Sequence, residues 1–171
     1  MDFKELSKAR YSVRSFSDKK VEQEKLDQIL QAANAAPTAC NNQPQRLYVV
    51  NSAEGIAKLS AITKFTFGAS TIIIFTSKKS EEWQNPFTDD YNTGDIDVSI
   101  VCTHAMMQAW ELGIGSCWVG YFDPAKVRSA FAIPEDEKII ALLPLGYPAE
   151  GCKPSRLHST RKNLQDTVKY L

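Results

Sequence analysis

Three alternate positions near the N-terminus carry side chains that suit a phosphate. In ARYSVRSF, residues 9–16, these are Arg10, Ser12 and Arg14, and in an extended chain all three would point to one side. Two guanidinium groups can form bidentate, charge-assisted hydrogen bonds to a phosphate, and the hydroxyl between them can add a neutral one. The segment alone also fits a solvated basic turn after a helix.

A second stretch is rich in carboxamides. APTACNNQPQ, residues 36–45, places Asn41, Asn42 and Gln43 between two prolines. Carboxamides both donate and accept hydrogen bonds, so they suit a ring edge on which carbonyl and N–H groups alternate, and Thr38 suits a hydroxylated chain. The alternative is a pair of Asx turns in which the side chains bond their own backbone.

Two later stretches add weaker signals. In GSCWVGYFD, residues 115–123, a strand that ends at Gly120 would expose backbone N–H groups to a stacked ligand. In TRKNLQD, residues 160–166, Arg161 supplies a late positive charge. A buried strand with a helix cap explains the first stretch equally well, and a solvated basic tail explains the second.

Other familiar sites have no support in the sequence. There is no GxGxxG, GxxxxGK[ST] or GxSxG motif. The four cysteines form no CxxC pair and the two histidines lie far apart, so we expect no metal site. The acidic pair Asp89 and Asp90 is expected to belong to a polar loop and not to a catalytic dyad.

Length and charge limit the class of protein. A chain of 171 residues and 19.1 kDa is expected to form a single domain over residues 1–171. Its 20 basic and 20 acidic residues balance, so no overall field attracts nucleic acid or a membrane surface. The charged N-terminus and the short apolar run at 72–75 argue against a signal peptide or a membrane span. We therefore expect a cytoplasmic protein with reduced cysteines.

Hydrophobic periodicity predicts the order α-α-β-α-β-loop-α-β-α-β-tail, which is not the strict alternation of a doubly wound sheet. We expect helices over 2–8, 21–36, 53–62, 96–112 and 123–131, and strands over 46–50, 71–76, 116–120 and 138–148. Asp18, Ser52 and Asp123 are predicted N-caps, and Gly113 is a predicted C-cap. Residues 80–95 are expected to form a mobile loop or lid. The tail, residues 149–171, has too little apolar surface to fold alone, which suggests that it wraps a second copy of the chain.

The order of these stretches resembles a known family. ARYSVRSFSDKKVEQEKLDQILQAANAAPTACNNQPQRLYVV resembles the opening of the nitroreductase family of flavoproteins, and GIGSCWVGYFD, LLPLGYPAE and RKNLQDTV are similar to its later segments. Over about 53–95 only the general pattern is similar. The resemblance implies an α+β fold, with three layers α/β/α and a central mixed sheet. It also implies an intertwined homodimer in which each C-terminal tail adds a strand to the partner's sheet.

The resemblance also implies a cofactor and a reaction. FMN would lie at the dimer interface, where NAD(P)H reduces it, and a small-molecule electron acceptor such as a nitroaromatic or a quinone then oxidises it in a ping-pong cycle. The family's FMN contacts carry over to a set of positions in this chain. They are Arg10, Tyr11 (through its backbone), Ser12, Arg14 and Arg161 for the phosphate and ribityl chain, Pro37, Thr38, Ala39, Asn41 and Gln43 for the isoalloxazine across the interface, and Gly120 and Tyr121 near flavin N5.

The chain departs from the family pattern in two places. Thr38 stands where the family often has Ser, which keeps the hydroxyl, and Gln45 stands where it often has an aromatic residue. A mid-chain contact to the flavin ring is expected near residues 64–66, without one residue singled out. The alternatives to a nitro- or quinone reductase are a specialised relative that performs dehalogenation, dehydrogenation or flavin breakdown, and a flavin-binding module without turnover.

Overall fold

Four strands form one sheet in the computed structural model, which describes residues 2–88 and 90–171. They are β1 (Gln45–Val50), β2 (Thr71–Lys78), β3 (Gly115–Ser116) and β4 (Glu137–Gly146), in the spatial order β1-β2-β4-β3. All three strand pairs are antiparallel. A mixed sheet was expected, but parallel pairing in the described residues is limited to an isolated bridge between Ser12 and Ser116. Asp89 of the acidic pair lies outside the described residues.

The first five helices follow the predicted order along the chain, and the last helix was not predicted. They are α1 (Phe3–Ala9), α2 (Gln23–Asn34), α3 (Ala53–Ile62), α4 (Gly94–Glu111), α5 (Pro124–Phe131) and α6 (Leu164–Thr167), with single 3-10 turns at 39–41, 64–66 and 79–81. No helix in the described part of the chain is both long enough and apolar enough to cross a membrane.

Alternate side chains of β2 enter two separate cores, one on each face of the sheet. Ile73 and Phe75 pack with the buried faces of α2 and α4, whereas Ile72 and Ile74 pack with α3 and α5. All four are fully buried, and burial of each such side chain contributes about 1.5–3 kcal/mol. The three-layer α+β architecture is therefore confirmed.

Several helix ends follow from their sequence signals. Ser52 accepts the Gly55 N–H at the start of α3, and Asp123 accepts the N–H groups of Ala125 and Lys126 at the start of α5. Gly113, with φ of 76°, ends α4. Its N–H donates to the Trp110 carbonyl, and the N–H of the next residue, Ile114, donates to the Ala109 carbonyl. This pair of bonds is the Schellman arrangement, which favours glycine at the left-handed position.

Two local predictions differ from the structure, and a third is not tested by a single chain. Asp18 does not cap α2, because the helix begins five residues later and Glu22 occupies the N-cap position. The strand predicted over 116–120 pairs continuously only at Gly115–Ser116, followed by an isolated bridge between Val119 and Leu142. The last stretch contains the short helix α6 within one chain, so a strand exchanged with a partner stays a prediction.

The predicted lid at 80–95 is a loop between two regular elements. It begins at the 3-10 turn over 79–81 and ends in the first turn of α4. An isolated bridge joins Gln84 to Asn92 across its base.

Candidate functional site

A cleft of about 240 Å³ collects the N-terminal phosphate candidates and the late arginine. Its lining residues are Arg10, Tyr11, Ser12, Arg14, Ser155, Leu157, His158 and Arg161. Helix α1 ends at Ala9, and Arg10 then adopts an extended conformation with φ of −62° and ψ of 129°. The bridge from Ser12 to Ser116 ties this extended segment to the edge of the sheet. The tail returns across it and brings in Arg161.

Among the described residues, the three arginines of this cleft form no ion pair with a carboxylate. Within residues 2–88 and 90–171, no carboxylate oxygen lies within 4.0 Å of a guanidinium nitrogen of Arg10, Arg14 or Arg161. Burial, and then repulsion by the Arg161 guanidinium, lower the pKa of Arg10. Arg161 donates to the carbonyl oxygens of His158 and Thr160, at 2.6 and 2.8 Å. Such a cluster is suited to a small dianion such as a phosphate monoester.

The tail adds residues to the cleft that the sequence did not reveal. His158 is half-buried there, and its Nε2 lies 3.0 Å from the Lys8 carbonyl oxygen. The Tyr11 ring packs edge-on against Trp110, with 5.0 Å between ring centroids, and its hydroxyl donates to the Cys152 carbonyl at 3.4 Å. The Tyr11 side chain therefore has a packing role, which leaves its backbone for a ligand. No periodicity marks residues 155–158, so only their position in space identifies them.

The carboxamide stretch forms a tight turn after α2. Cys40, Asn41 and Gln43 have φ of 50°, 54° and 51°, in a region that non-glycine residues seldom occupy. The Thr38 hydroxyl accepts the Gln43 N–H at 3.0 Å. Among the described residues, the side chains of Asn41 and Asn42 bond to nothing. These exposed amides therefore do not form the self-satisfying Asx turns of the alternative interpretation.

A buried carboxylate fixes this turn to the start of α4. Asp97 is 3% exposed, and its Oδ1 accepts the Ala39 N–H at 3.0 Å. Its Oδ2 accepts the Thr93 hydroxyl at 2.8 Å. Buried charge is costly unless hydrogen-bonded, so this carboxylate holds the turn through bonds that the sequence did not suggest.

A second cavity, of about 510 Å³, contains the predicted Gly120–Tyr121 pair. Its lining residues are Ile62, Thr63, Lys64, Gly120, Tyr121, Phe122 and Asp123. The N–H groups of Gly120, Tyr121 and Phe122 donate to no acceptor in the described part of the chain. Lys64 also lines this cavity. Its ammonium group belongs to the mid-chain region, residues 64–66, where a contact to the flavin ring was expected.

The edge of the sheet connects the two cavities. Residues 115–120 run from the Ser12–Ser116 bridge to Gly120, with Cys117 and Val119 buried in the core. The turn at 37–43 lines neither cavity in a single chain. The structure thus places two of the three predicted groups in separate cavities along one edge segment, and it leaves the carboxamide turn outside both.

Known proteins with similar sequences and structures agree on one family. The nitroreductase family profile matches residues 8–64 and 61–147. A protein of Methanothermobacter thermautotrophicus with the provisional name NADH dehydrogenase/NAD(P)H nitroreductase is 31% identical, over 92% of this chain and 86% of its own length.

Two solved structures show the same fold. A nitroreductase family protein of Clostridium difficile 630 superposes with a TM-score of 0.93 at 43% identity, over 99% of this chain and 98% of that one. An FMN-dependent nitroreductase of Clostridium difficile R20291 superposes with a TM-score of 0.74 at 27% identity, over 92% and 97%. The chain therefore belongs to the nitroreductase family of oxidoreductases, as its opening segment predicted.

Proposed function

We propose that this chain is an FMN-dependent NAD(P)H oxidoreductase whose acceptor is a small electron-poor compound such as a nitroaromatic or a quinone. The cleft formed by Arg10, Ser12, Arg14 and Arg161 carries this proposal, because it holds three guanidinium groups and no neighbouring carboxylate among the described residues. An FMN phosphate is a dianion that accepts charge-assisted hydrogen bonds from such groups. Each of these bonds would contribute about 1.5–3 kcal/mol.

The cavity at the other end of the edge segment fits an electron-rich ring edge. The free N–H groups at 120–122 and the Lys64 ammonium are donors that stabilise negative charge. When bound there, FMN would supply the hydride chemistry, accepting two electrons from NAD(P)H and passing them to the acceptor. This chain's residues would anchor the phosphate, orient the ring and leave one face open to both substrates.

The carboxamide turn at 37–43 would complete the site across a homodimer interface. The Asn41 side chain has no partner among the described residues, and the Gln43 side chain donates only to the Asn41 carbonyl, at 3.4 Å. Both are exposed and lie outside both cavities of their own chain. A second copy of the chain is the partner that could present them to the ring. Two apolar grooves along α4, of about 590 and 560 Å³, offer surface for that contact.

Colour and its reversible loss test this function directly. The purified protein should be yellow, with an FMN band near 450 nm, and the band should bleach anaerobically with NADH or NADPH. Addition of a nitroaromatic or a quinone should then restore it. A preparation that stays colourless after incubation with FMN would overturn the proposal.

The same absorbance measurement distinguishes the two alternative functions. A flavin-binding module would be yellow but would not bleach with either nicotinamide. A specialised relative would bleach but would not recover its colour with nitro or quinone acceptors.

A further inference from the structure

We propose that Thr63 is a positioning residue that holds the Tyr121 backbone in the orientation the cofactor ring requires. The inference rests on the proposed function, because it assigns the free N–H groups at 120–122 to the ring end of the FMN site. It concerns a side chain that no sequence motif identified.

Thr63 joins two segments that are 58 residues apart in sequence. It is 6% exposed and ends α3, with its N–H donating to the Leu59 carbonyl. Its hydroxyl donates to the Tyr121 carbonyl at 2.8 Å and accepts the Phe65 N–H at 3.2 Å. A hydroxyl has a single proton to donate, and Thr63 uses it in the hydrogen bond to the Tyr121 carbonyl.

Residues 120–122 have little else to hold them. Val119 is bonded to Leu142 in both directions, and Asp123 caps α5. Between these two fixed points, the bond from Thr63 is the one hydrogen bond that residues 120–122 make to the rest of the described chain. Tyr121 is 76% exposed, and its ring touches Phe65 edge-on with 5.1 Å between centroids.

The carbonyl of Tyr121 and the N–H of Phe122 share one planar peptide group. Because the Thr63 hydroxyl fixes this carbonyl, it also fixes the direction of that N–H and restricts the rotation of the Tyr121 backbone. Donors that stabilise developing charge work only when they are already aimed, without reorganisation during the reaction. Thr63 would therefore act on the ring end of FMN and leave the arginine cleft unchanged.

The matched pair Thr63→Ser and Thr63→Ala tests this role, because both variants lose the methyl group and only Ser keeps the hydroxyl. Thr63→Val is the third variant, which keeps the shape of the side chain and removes the hydroxyl. We expect Ala and Val to slow reduction of the bound flavin by about tenfold, less than the loss of a whole donor costs. They should also make its reduction potential more negative. FMN affinity should change less than about threefold, and Ser should match the wild type in each measurement.

Backbone ¹⁵N relaxation on the flavin-free protein gives a second test that needs no activity. The order parameters of the Tyr121 and Phe122 amides should be lower in the Ala and Val variants than in the wild type and the Ser variant, because the segment loses its hydrogen bond to Thr63. If order parameters and potential are the same in all four proteins, Thr63 does not position this segment. If the wild type takes up no FMN, the proposed function fails, while the order parameters still decide whether Thr63 holds the backbone.

Discussion

The electrostatic surroundings of Arg10 are visible only in the structure. In the sequence it is one of two arginines flanking a serine, a pattern that also fits a solvated turn. In the structure it is half-buried and shares a cleft with Arg161, whose charge contributes to the lowering of the pKa of Arg10. Repulsion of this kind is relieved when an anion binds between the two groups.

Arg10→Ala should therefore weaken FMN binding by about 10- to 150-fold, corresponding to the loss of one charge-assisted bond. Riboflavin, which lacks the phosphate, should bind the variant and the wild type equally. Fluorescence titration of the flavin-free proteins measures both affinities. Arg156→Ala is the control, because Arg156 is an exposed basic residue of the same tail that does not line the cleft. An equal loss of riboflavin affinity would argue against a phosphate contact.

At the level of helices and strands, some predictions from the sequence agree with the structure and others do not. Caps at Ser52, Asp123 and Gly113 were predictable because each depends on one residue and its immediate neighbours. The edge strand was predicted too long, because its continuous pairing with β4 ends at Ser116. The tie from Asp97 to Ala39 was not predictable, since it joins residues 58 positions apart.

Asp97→Ala should destabilise the protein by about 1–3 kcal/mol, because it leaves the half-buried Ala39 N–H and the buried Thr93 hydroxyl without their acceptor. Urea unfolding followed by circular dichroism gives the free energy of unfolding. Asp95→Ala is the control two residues earlier on α4, where the carboxylate is exposed and pairs with Lys138 on the surface. Its loss should cost less than about 1 kcal/mol. Equal costs for the two variants would contradict a structural role for Asp97.

A hydrogen-bonded carboxylate also links three neighbouring strands. Glu137 of β4 accepts the Tyr48 hydroxyl of β1 at 2.8 Å and the Thr76 hydroxyl of β2 at 2.5 Å. Burial, and then the hydrogen bond to Glu137, raise the pKa of Tyr48 to about 12. The folded state therefore favours the protonated phenol.

This shift predicts a loss of stability at alkaline pH. The contribution of Tyr48 is fully present below the ordinary tyrosine pKa of about 10 and is lost as the pH rises through about 12. Tyr48→Phe should cost about 1–2 kcal/mol at pH 7, since Glu137 loses a donor, and should flatten the decline between pH 10 and 12. Unfolding free energies at both ends of that range measure the effect. A variant with the same alkaline slope as the wild type would assign the decline to other groups.

At the scale of the whole molecule, one chain leaves its apolar surface incompletely covered. Phe3 of α1 is 77% exposed, and Ile96 of α4 is also exposed. Residues 164–171 are exposed throughout and include Leu164, Val168, Tyr170 and Leu171. A surface of this kind is typical of one half of an assembly.

We expect the protein to sediment at twice its 19.1 kDa chain mass. A chain that ends at Asn163 keeps Arg161 but lacks the exposed apolar segment, so it should dissociate at concentrations where the full chain is dimeric. Sedimentation equilibrium over a range of concentrations measures this shift. A full-length protein that sediments as a single chain at all concentrations would contradict the dimer.

Some residues of the proposed site were predictable from the sequence, and others were not. The resemblance predicted a role for the arginines and for the Gly120–Tyr121 pair, because each belongs to a short contiguous motif. His158, Thr63 and Asp97 belong to no motif and are recognised only by what they contact. The carboxamide turn is intermediate: its residues were predicted, and under the proposed function it would reach the site from a second chain.

The arginine cleft has a practical consequence for anyone who handles the protein. Three guanidinium groups that lack a carboxylate partner among the described residues should attract inorganic phosphate or sulfate as well as a flavin nucleotide. Such ions at millimolar concentration would compete with the cofactor and strip it during purification. Buffers free of multivalent anions should therefore preserve the holoprotein, and cofactor loss should scale with the charge of the added anion.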